Sequence, residues 1–390
     1  MDLKHLEKRF FDHFNEEIGK QVKLFFSPGR INLIGEHIDY NGGFVFPAAI
    51  TFGTYAVVTE RADTKVRIYS GNFEDDGIIE FDLTDLTKLP NEPWSIYVKG
   101  VIDVFIKADY RVEKGFNAYV EGNIPNGAGL SSSASLELLV GEILKDLNGF
   151  DLTGIENALL GQKAENEYVG VNCGIMDQFA IGMGQKDKAI KLNTNNLEYE
   201  YADCDLQDYR VLIMNTKKRR GLADSKYNER RAECEAGLVK LQTKVDINYL
   251  CDLTVAEFNA ISDVLVEENL LKRARHAVSE NERVKLAVDA LAQGDLVGFG
   301  ELLNQSHISL RDDYEVTGTE LDTIVELAWA QNGVIGARMT GAGFGGCAIA
   351  LVHADKLETV QARVANDYEA AIGYPAEFYV AQIGDGTKRL

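Results

Sequence analysis

The sequence predicts an α+β protein of two domains. Three observations carry that prediction. At 390 residues the chain is too long for one small core. Short β-rich runs crowd the first half, whereas long helical patterns dominate residues 228 to 331. Strands and helices mix without the strict βα alternation of a parallel sheet. A polar stretch, "LNTNNLEYEYADCDLQD" at 192–208, marks the boundary, so domains are expected at 1–205 and 206–390.

Each element follows from local pattern. The N-terminal "MDLKHLEKRFFDHFNEEI" is charged and amphipathic, a helix and not a signal peptide, which needs an apolar centre. "TYAVVTE", "KVRIYS" and "IIEFDL" are β-rich runs between polar or Gly turns. "WSIYVKGVIDVFIKA" has helical apolar spacing, and "FNAYVEGNIP" alternates as a half-buried strand ending at Pro125. In "NGAGLSSSASLELLVGEILKDLNG", Leu136, Leu139, Val140, Ile143, Leu144 and Leu147 share one helical face, and Gly149 is a stop signal. A second helix covers "IENALLGQKAENEYVG" and a third begins near "MDQFAIGM". "YRVLIMNT" is a strand; "VIGARMTGAGFGGCAIALV" reads as two strands flanking a Gly-rich turn. The helix "KLETVQARVANDYEAAI" and the strand "AEFYVAQI" close the pattern.

Composition excludes several classes. A net charge of -21 disfavours nucleic acid and anionic membranes as partners. The longest apolar runs, such as "CAIALV", are too short to span a bilayer. Five scattered Cys without a CxxC pair suggest neither disulfides nor a zinc site. A reducing cytoplasm fits them. For an anionic substrate, so acidic a protein must make local positive potential from backbone N–H groups, a few cations or a metal. One basic run, "KKRRGLADSKYNERR" at 217–231, is either a solvated loop and helix face or a wall of an anion site.

Three segments carry chemistry. In "PNGAGLSSSA" (125–134), Gly127 and Gly129 permit close backbone approach, and three Ser meet a helix start. The first-turn N–H groups and the dipole make that start a phosphate cradle. An ordinary strand-to-helix loop with a Ser cap needs only one Ser. No Lys follows the glycines, so this is not a Walker A loop. "TGAGFGG" (340–346) contains GxGxxG but leads into a strand, whereas a dinucleotide fingerprint leads into a helix. It reads as a hairpin that brings backbone close to a ligand or to the other Gly-rich loop. "GRINLIGEHIDYNGG" (29–43) sets Arg30, Glu36, His37 and Asp39 in an apolar frame. Asp177 in turn sits among Ile175, Met176, Phe179 and Ala180. It is either a first-turn Asp favoured by the helix dipole or a carboxylate in need of a partner, for which Arg30 is a candidate. Glu165 alone reads as a solvated helix residue.

These three segments, in their order along the chain (29–43, 125–134, 340–346), resemble the GHMP kinase superfamily. "GEHIDY", "CGIMDQF", "SKYNERRAEC" and "RARHAVSENERV" narrow the resemblance to the galactokinase family, over nearly the whole chain. The resemblance implies a first domain like domain 2 of ribosomal protein S5, with a left-handed βαβ unit, and a ferredoxin-like second domain. The active site would lie in the cleft between them. The implied reaction transfers the γ-phosphoryl of ATP to the anomeric hydroxyl of α-D-galactose, giving galactose 1-phosphate and ADP, the entry step of the Leloir pathway.

Residue roles come over by the same resemblance. Asp177 takes or polarises the proton of the anomeric hydroxyl, and Arg30 beside it stabilises developing negative charge. Glu36, His37, Asp39, Gly174, Asp177 and Tyr227 hold the sugar, where fixed partners reject an epimer by leaving their own groups unpaired. Asn126, Gly127, Ala128, Gly129, Leu130, Ser131 and Ser132 cradle the ATP phosphates, and Ser70 contacts the nucleotide. Ser132 and Glu165 bind Mg²⁺, which supplies the positive charge the chain lacks. The implied partners are galactose and ATP, with no nucleic acid or membrane, and the chain is expected to be a cytoplasmic monomer. Two alternatives stay open. One is a kinase for N-acetylgalactosamine or arabinose. The other is a non-catalytic galactose- and ATP-binding sensor, which the presence of Ser131 to Ala134 and Asp177 argues against.

Overall fold

Apolar periodicity decides the elements, and a computed structural model describes residues 1–14, 21–125, 129–218 and 223–390. Helix α1 (Leu3–Phe14) buries Leu6, Phe10 and Phe14 on one face, as its amphipathic pattern requires. Strands β1 (Lys23–Asn32), β2 (Phe44–Val45), β3 (Pro47–Glu60), β4 (Lys65–Ser70) and β5 (Ile79–Asp82) follow, then α2 (Ser95–Lys107) and β6 (Phe116–Gly122). Next come α3 (Ser132–Asn148), α4 (Gly154–Lys163), α5 (Met176–Met183), β7 (Lys188–Asn193) and β8 (Tyr199–Asp203). All six residues expected on the α3 face are buried. Gly149 ends that helix at φ 69° with its N–H on the Lys145 carbonyl, the glycine stop of a left-handed cap.

The second half holds β9 (Tyr209–Asn215), α6 (Ala223–Leu241), α7 (Val255–Ile261), α8 (Glu268–Ala292), α9 (Leu296–Ser309) and α10 (Thr319–Trp329). It ends with β10 (Val334–Thr340), β11 (Cys347–His353), α11 (Leu357–Ile372), β12 (Glu377–Ala381) and β13 (Lys388–Arg389). The six-stranded sheet runs β13-β1-β3-β6-β4-β5 and the four-stranded sheet β10-β11-β9-β12. Within the first, β4 and β6 run parallel.

Two features depart from the sequence reading. The polar stretch at 192–208 is not a bare linker: it holds the turn of the β7–β8 hairpin and all of β8, which join β2 in a third sheet. The chain also does not stop at β12. β13 returns to pair with β1, and a two-residue Lys-Arg strand carries no apolar period by which to be read. One buried cluster runs from Ile31, Ile34 and Phe46 to Leu212, Ile213 and Ile349, so the two sheets share a continuous core. No described helix is long and apolar enough to cross a membrane.

Candidate active site

A cavity of about 310 Å³ opens where the two halves meet, lined by Arg30, Glu36, His37, Asp39, the end of the Gly-rich loop, Glu165, Asp177, Tyr227 and Gly341. Strand β1 delivers Arg30. The register with β3 shifts between Pro28 and Arg30, and such a bulge re-aims the next side chain. A Cβ on Gly29 would stand 2.8 Å from the Leu130 carbonyl oxygen, so glycine lets the strand press against the Gly-rich loop.

Arg30 is buried and forks onto Asp177, the second residue of α5. Its Nε donates to Oδ1 at 2.9 Å and its Nη2 to Oδ2 at 3.1 Å. Nη1 donates to the Gly129 carbonyl at 2.9 Å, and the Arg30 amide donates to the Leu130 carbonyl at 3.2 Å. One guanidinium thus joins the acidic residue to the Gly-rich loop. Fork geometry of this kind fixes a carboxylate in position as well as in charge.

Ser131 sits at the N-cap position of α3 but does not cap it. It holds φ 62°, ψ 51°, a left-handed conformation that a non-glycine residue rarely adopts. Its Oγ donates instead to Asp177 Oδ2. The ordinary-cap reading of the Ser run therefore fails at this residue. Leu130 is a core residue and Ser132 is exposed toward the cavity. Asn126, Gly127 and Ala128 lie outside the described residues. Ser70, at the end of β4, takes the Asn72 amide on its Oγ at 3.2 Å and is not among the cavity-lining residues.

The polar row is held from both halves. Glu36 Oε1 accepts the Gly341 N–H at 2.5 Å, Oε2 accepts from Asn32 Nδ2, and Arg338 Nη1 lies 3.5 Å away. Burial pushes the Glu36 carboxyl up, with Arg338 and Arg30 pulling the other way. His37 Nε2 faces the Ala342 carbonyl at 3.2 Å and Nδ1 the Tyr40 hydroxyl at 2.8 Å. A carbonyl only accepts, so Nε2 carries the proton and Nδ1 accepts from Tyr40. Burial pushes His37 down to about 3, so it is neutral. Asp39 is pushed up to about 7 by burial, then by the Asp177 and Glu36 charges. Gly174 abuts it: an added Cβ would stand 1.9 Å from Asp39 Oδ2. The Tyr227 ring packs 5.4 Å from His37 and 5.5 Å from Tyr40, between centroids.

Glu165 sits in a π-helical turn (Ala164–Val169) that continues α4, a widened turn of the kind frequent at functional sites. It is buried and not the solvated residue its context suggested. Burial, then the Asp177 charge, pushes it up to about 7. Gln178 Nε2 donates to Glu165 Oε2 at 2.8 Å and to the fully buried Glu137 at 3.0 Å. The hydroxyl that donates to Glu165 is that of Ser133, at 3.3 Å. This donor set fits a hard divalent cation. Glu165 and the Ser132 and Ser133 hydroxyls line the cavity, and positive charge there relieves the repulsion between the Glu165 and Asp177 carboxylates. No group of three or more metal-ligating side chains occurs among the described residues. The remaining ligands would be phosphate oxygens and water, the habit of Mg²⁺ rather than of an all-protein cage.

The sequence reading does not single out Ser133 or Gln178, although each stands beside a residue it names, Ser132 and Asp177. Gly341 and Ala342 lie in the 340–346 Gly-rich segment, which is expected to approach a ligand or the other Gly-rich loop. That segment is a strand–turn–strand between β10 and β11 and meets the first Gly-rich loop: a Gly341 Cβ would stand 2.8 Å from the Gly129 carbonyl oxygen. In the basic run, Lys217 pairs with Glu377, Lys218 with Glu320, Arg230 with Glu229 and Glu233, and Arg231 with Glu235. These described cations serve the protein's own carboxylates. Arg219 and Arg220 lie outside the described residues.

Three family signatures match the chain: the galactokinase galactose-binding signature over residues 8–60, the GHMP kinase N-terminal domain over 96–185 and the GHMP kinase C-terminal domain over 287–370. The galactokinase of Clostridium perfringens (strain 13 / Type A) is 55% identical over 390 residues, covering all of both chains. That of Lactococcus lactis subsp. lactis (strain IL1403) is 55% identical over 388 residues, 100% of this chain and 97% of the relative. Among solved structures, Lactococcus lactis galactokinase complexed with galactose superposes with a TM-score of 0.97 at 55% identity, covering both chains fully. Methanococcus jannaschii mevalonate kinase shares the fold at a TM-score of 0.67 and 17% identity, over 94% of this chain and 100% of that one. With a signature in each half and full-length identity to named relatives, the chain belongs to the galactokinase family, ATP-dependent sugar kinases with the two-domain GHMP fold.

Proposed function

We propose that the chain transfers the γ-phosphoryl group of ATP, with Mg²⁺, to the anomeric hydroxyl of galactose. The observation that carries this reading is the Arg30–Asp177 fork, set between the end of the Gly-rich loop and the polar row. Phosphoryl transfer has a loose transition state, so positioning and charge do most of the work. The N-termini of α3 and α5 turn their positive dipole ends toward the site. Residues 126–132 hold the phosphates, Ser70 contacts the nucleotide, and Ser132 and Glu165 hold the metal. When bound, that ion neutralises phosphate charge. Glu36, His37, Asp39, Gly174 and Tyr227 hold the sugar hydroxyls.

Asp177 Oδ2 already receives two donors and Oδ1 one. Oδ1 is therefore the oxygen with room to take the hydroxyl proton, while the guanidinium holds the carboxylate still. The division between domains falls at 205/206, between β8 and β9, and five free thiols support a reducing cytoplasm. The test is ADP release with Mg²⁺-ATP over a panel of galactose, N-acetylgalactosamine, arabinose and glucose. Galactose should give the highest kcat/KM. No sugar-dependent ADP release would sink the kinase reading, and a higher kcat/KM for another sugar would sink the substrate.

A further inference from the structure

The segment "RARHAVSENERV" (273–284) contributes no side chain to the cavity, yet α8 carries two polar residues that are fully buried, His276 and Glu280. They lie one helical turn apart and share a face. Glu280 Oε1 accepts the Gly35 N–H at 3.0 Å. His276 Nε2 faces the Glu36 carbonyl at 3.0 Å. Because that carbonyl only accepts, Nε2 donates, and Nδ1 accepts from Ser309 Oγ at 2.9 Å. Glu280 is anchored in its turn by Ser306 Oγ at 2.5 Å and by Arg283 Nε at 2.7 Å.

The loop so gripped is not relaxed. Gly35 holds φ +102° and His37 φ +62°, the second a strained value for a residue with a side chain. The two α8 contacts fall on the peptide before Gly35 and the peptide after Glu36. They therefore fix the backbone from which Glu36 and His37 reach the cavity. We propose that His276 and Glu280 are positioning residues for the sugar, acting from the second half of the chain through the strained Gly35–His37 turn. The inference rests on the reading that Glu36, His37 and Asp39 hold the sugar. A clamp on this turn governs sugar affinity and leaves the nucleotide side alone, whereas general support of the fold lowers the amount of active enzyme without choosing between substrates.

The experiment is steady-state kinetics of the full chain with galactose and Mg²⁺-ATP varied separately. His276→Leu removes the donor, and His276→Gln keeps an amide N–H at the same reach. The expected result is a rise of at least tenfold in galactose KM for His276→Leu, with ATP KM within twofold of wild type, and recovery of most of the loss in His276→Gln. Should His276→Leu give no cooperative melt, Ser309→Ala, which only frees the imidazole from its tautomer lock, is expected to raise galactose KM at least threefold with ATP KM unchanged. The proposal is overturned if the folded variant keeps wild-type galactose KM, or if both KM values rise together. The wild-type arm reports separately on function: if it uses another sugar better, that reading fails, and the variant ratios for the accepted sugar still decide the clamp.

Discussion

Replacing Asp177 by Asn removes the charge on which the proposed chemistry turns while preserving shape. The carboxylate now receives Arg30 Nε on Oδ1 and both Arg30 Nη2 and Ser131 Oγ on Oδ2. The amide keeps most by placing its oxygen at the Oδ2 position, which leaves its NH₂ facing Arg30 Nε, donor to donor, at a site now spanned by 2.9 Å. A lost hydrogen bond to a charged group costs about 1.5–3 kcal/mol. The Asp177 side chain is 32% exposed, so solvent screening brings the stability loss toward about 1–2 kcal/mol. A positioned general base contributes roughly 10²–10⁴ in rate, or about 3–5 kcal/mol of barrier at about 1.4 kcal/mol per decade. The barrier effect is the larger. Asp177→Asn should therefore stay folded and lose at least about a hundredfold in phosphoryl transfer. Quenched single-turnover transfer at saturating galactose and ATP reads the chemical step, and a melting curve reads the fold. A rate within about fivefold of wild type would refute the base assignment and leave Asp177 as a sugar-positioning group. Arg30→Ala should also slow transfer, and the double variant should lose less than the product of the two, since the pair acts as a unit.

Gly174→Ala places a Cβ 1.9 Å from Asp39 Oδ2 and 2.3 Å from its Cγ. Displacing one sugar partner costs about 1–3 kcal/mol, so galactose KM should rise roughly tenfold or more while ATP KM holds. An unchanged galactose KM would put Gly174 and Asp39 outside the sugar site. Asp39, pushed up to about 7, keeps its proton to higher pH in the folded protein than in the unfolded chain, where it leaves near about 4. The free protein therefore loses that contribution to stability as pH rises from about 4 to 7. Sugar hydroxyls favour the carboxylate, so galactose binding at pH 6.5 should release protons. Titration calorimetry in two buffers of different ionisation enthalpy counts them, and a count of zero removes Asp39 from the sugar contacts. Lys99 Nζ lies 2.6 Å from Glu92 Oε1, with side chains 7% and 2% exposed. Lys99→Met strands a buried carboxylate and should cost about 3–5 kcal/mol, less when Glu92→Gln is added. A wild-type melting temperature for the single variant would refute that cost.

The sequence by itself determined the strongly periodic elements and the chemistry each segment could carry, but not the short β13 or the β7–β8 hairpin. The apolar face of α3 and its Gly149 stop are local properties, repeated every turn, and they are present as read. The order strand–glycines–strand at 340–346 excluded a dinucleotide loop, because a helix start is needed there. A carboxylate set among Ile175, Met176 and Phe179 must find a partner, which made the contact of Arg30 with Asp177 across 147 positions legible in advance. Only the tertiary structure decided where ambiguous hydroxyls and buried charges point. Ser131 could have capped α3, but packing of α5 against the loop brings Asp177 within its reach, and the hydroxyl donates there instead. Glu165 reads as solvated from its helix, yet the turn widens and tucks it beside Gln178 and Glu137. Glu280 and His276 look like the polar side of an amphipathic helix, and become a clamp only because α8 lies across the turn at Gly35. Periodicity records how much of one element is buried. It carries no information about which distant backbone group meets a polar atom, since that depends on how elements far apart in the chain stack on a shared core.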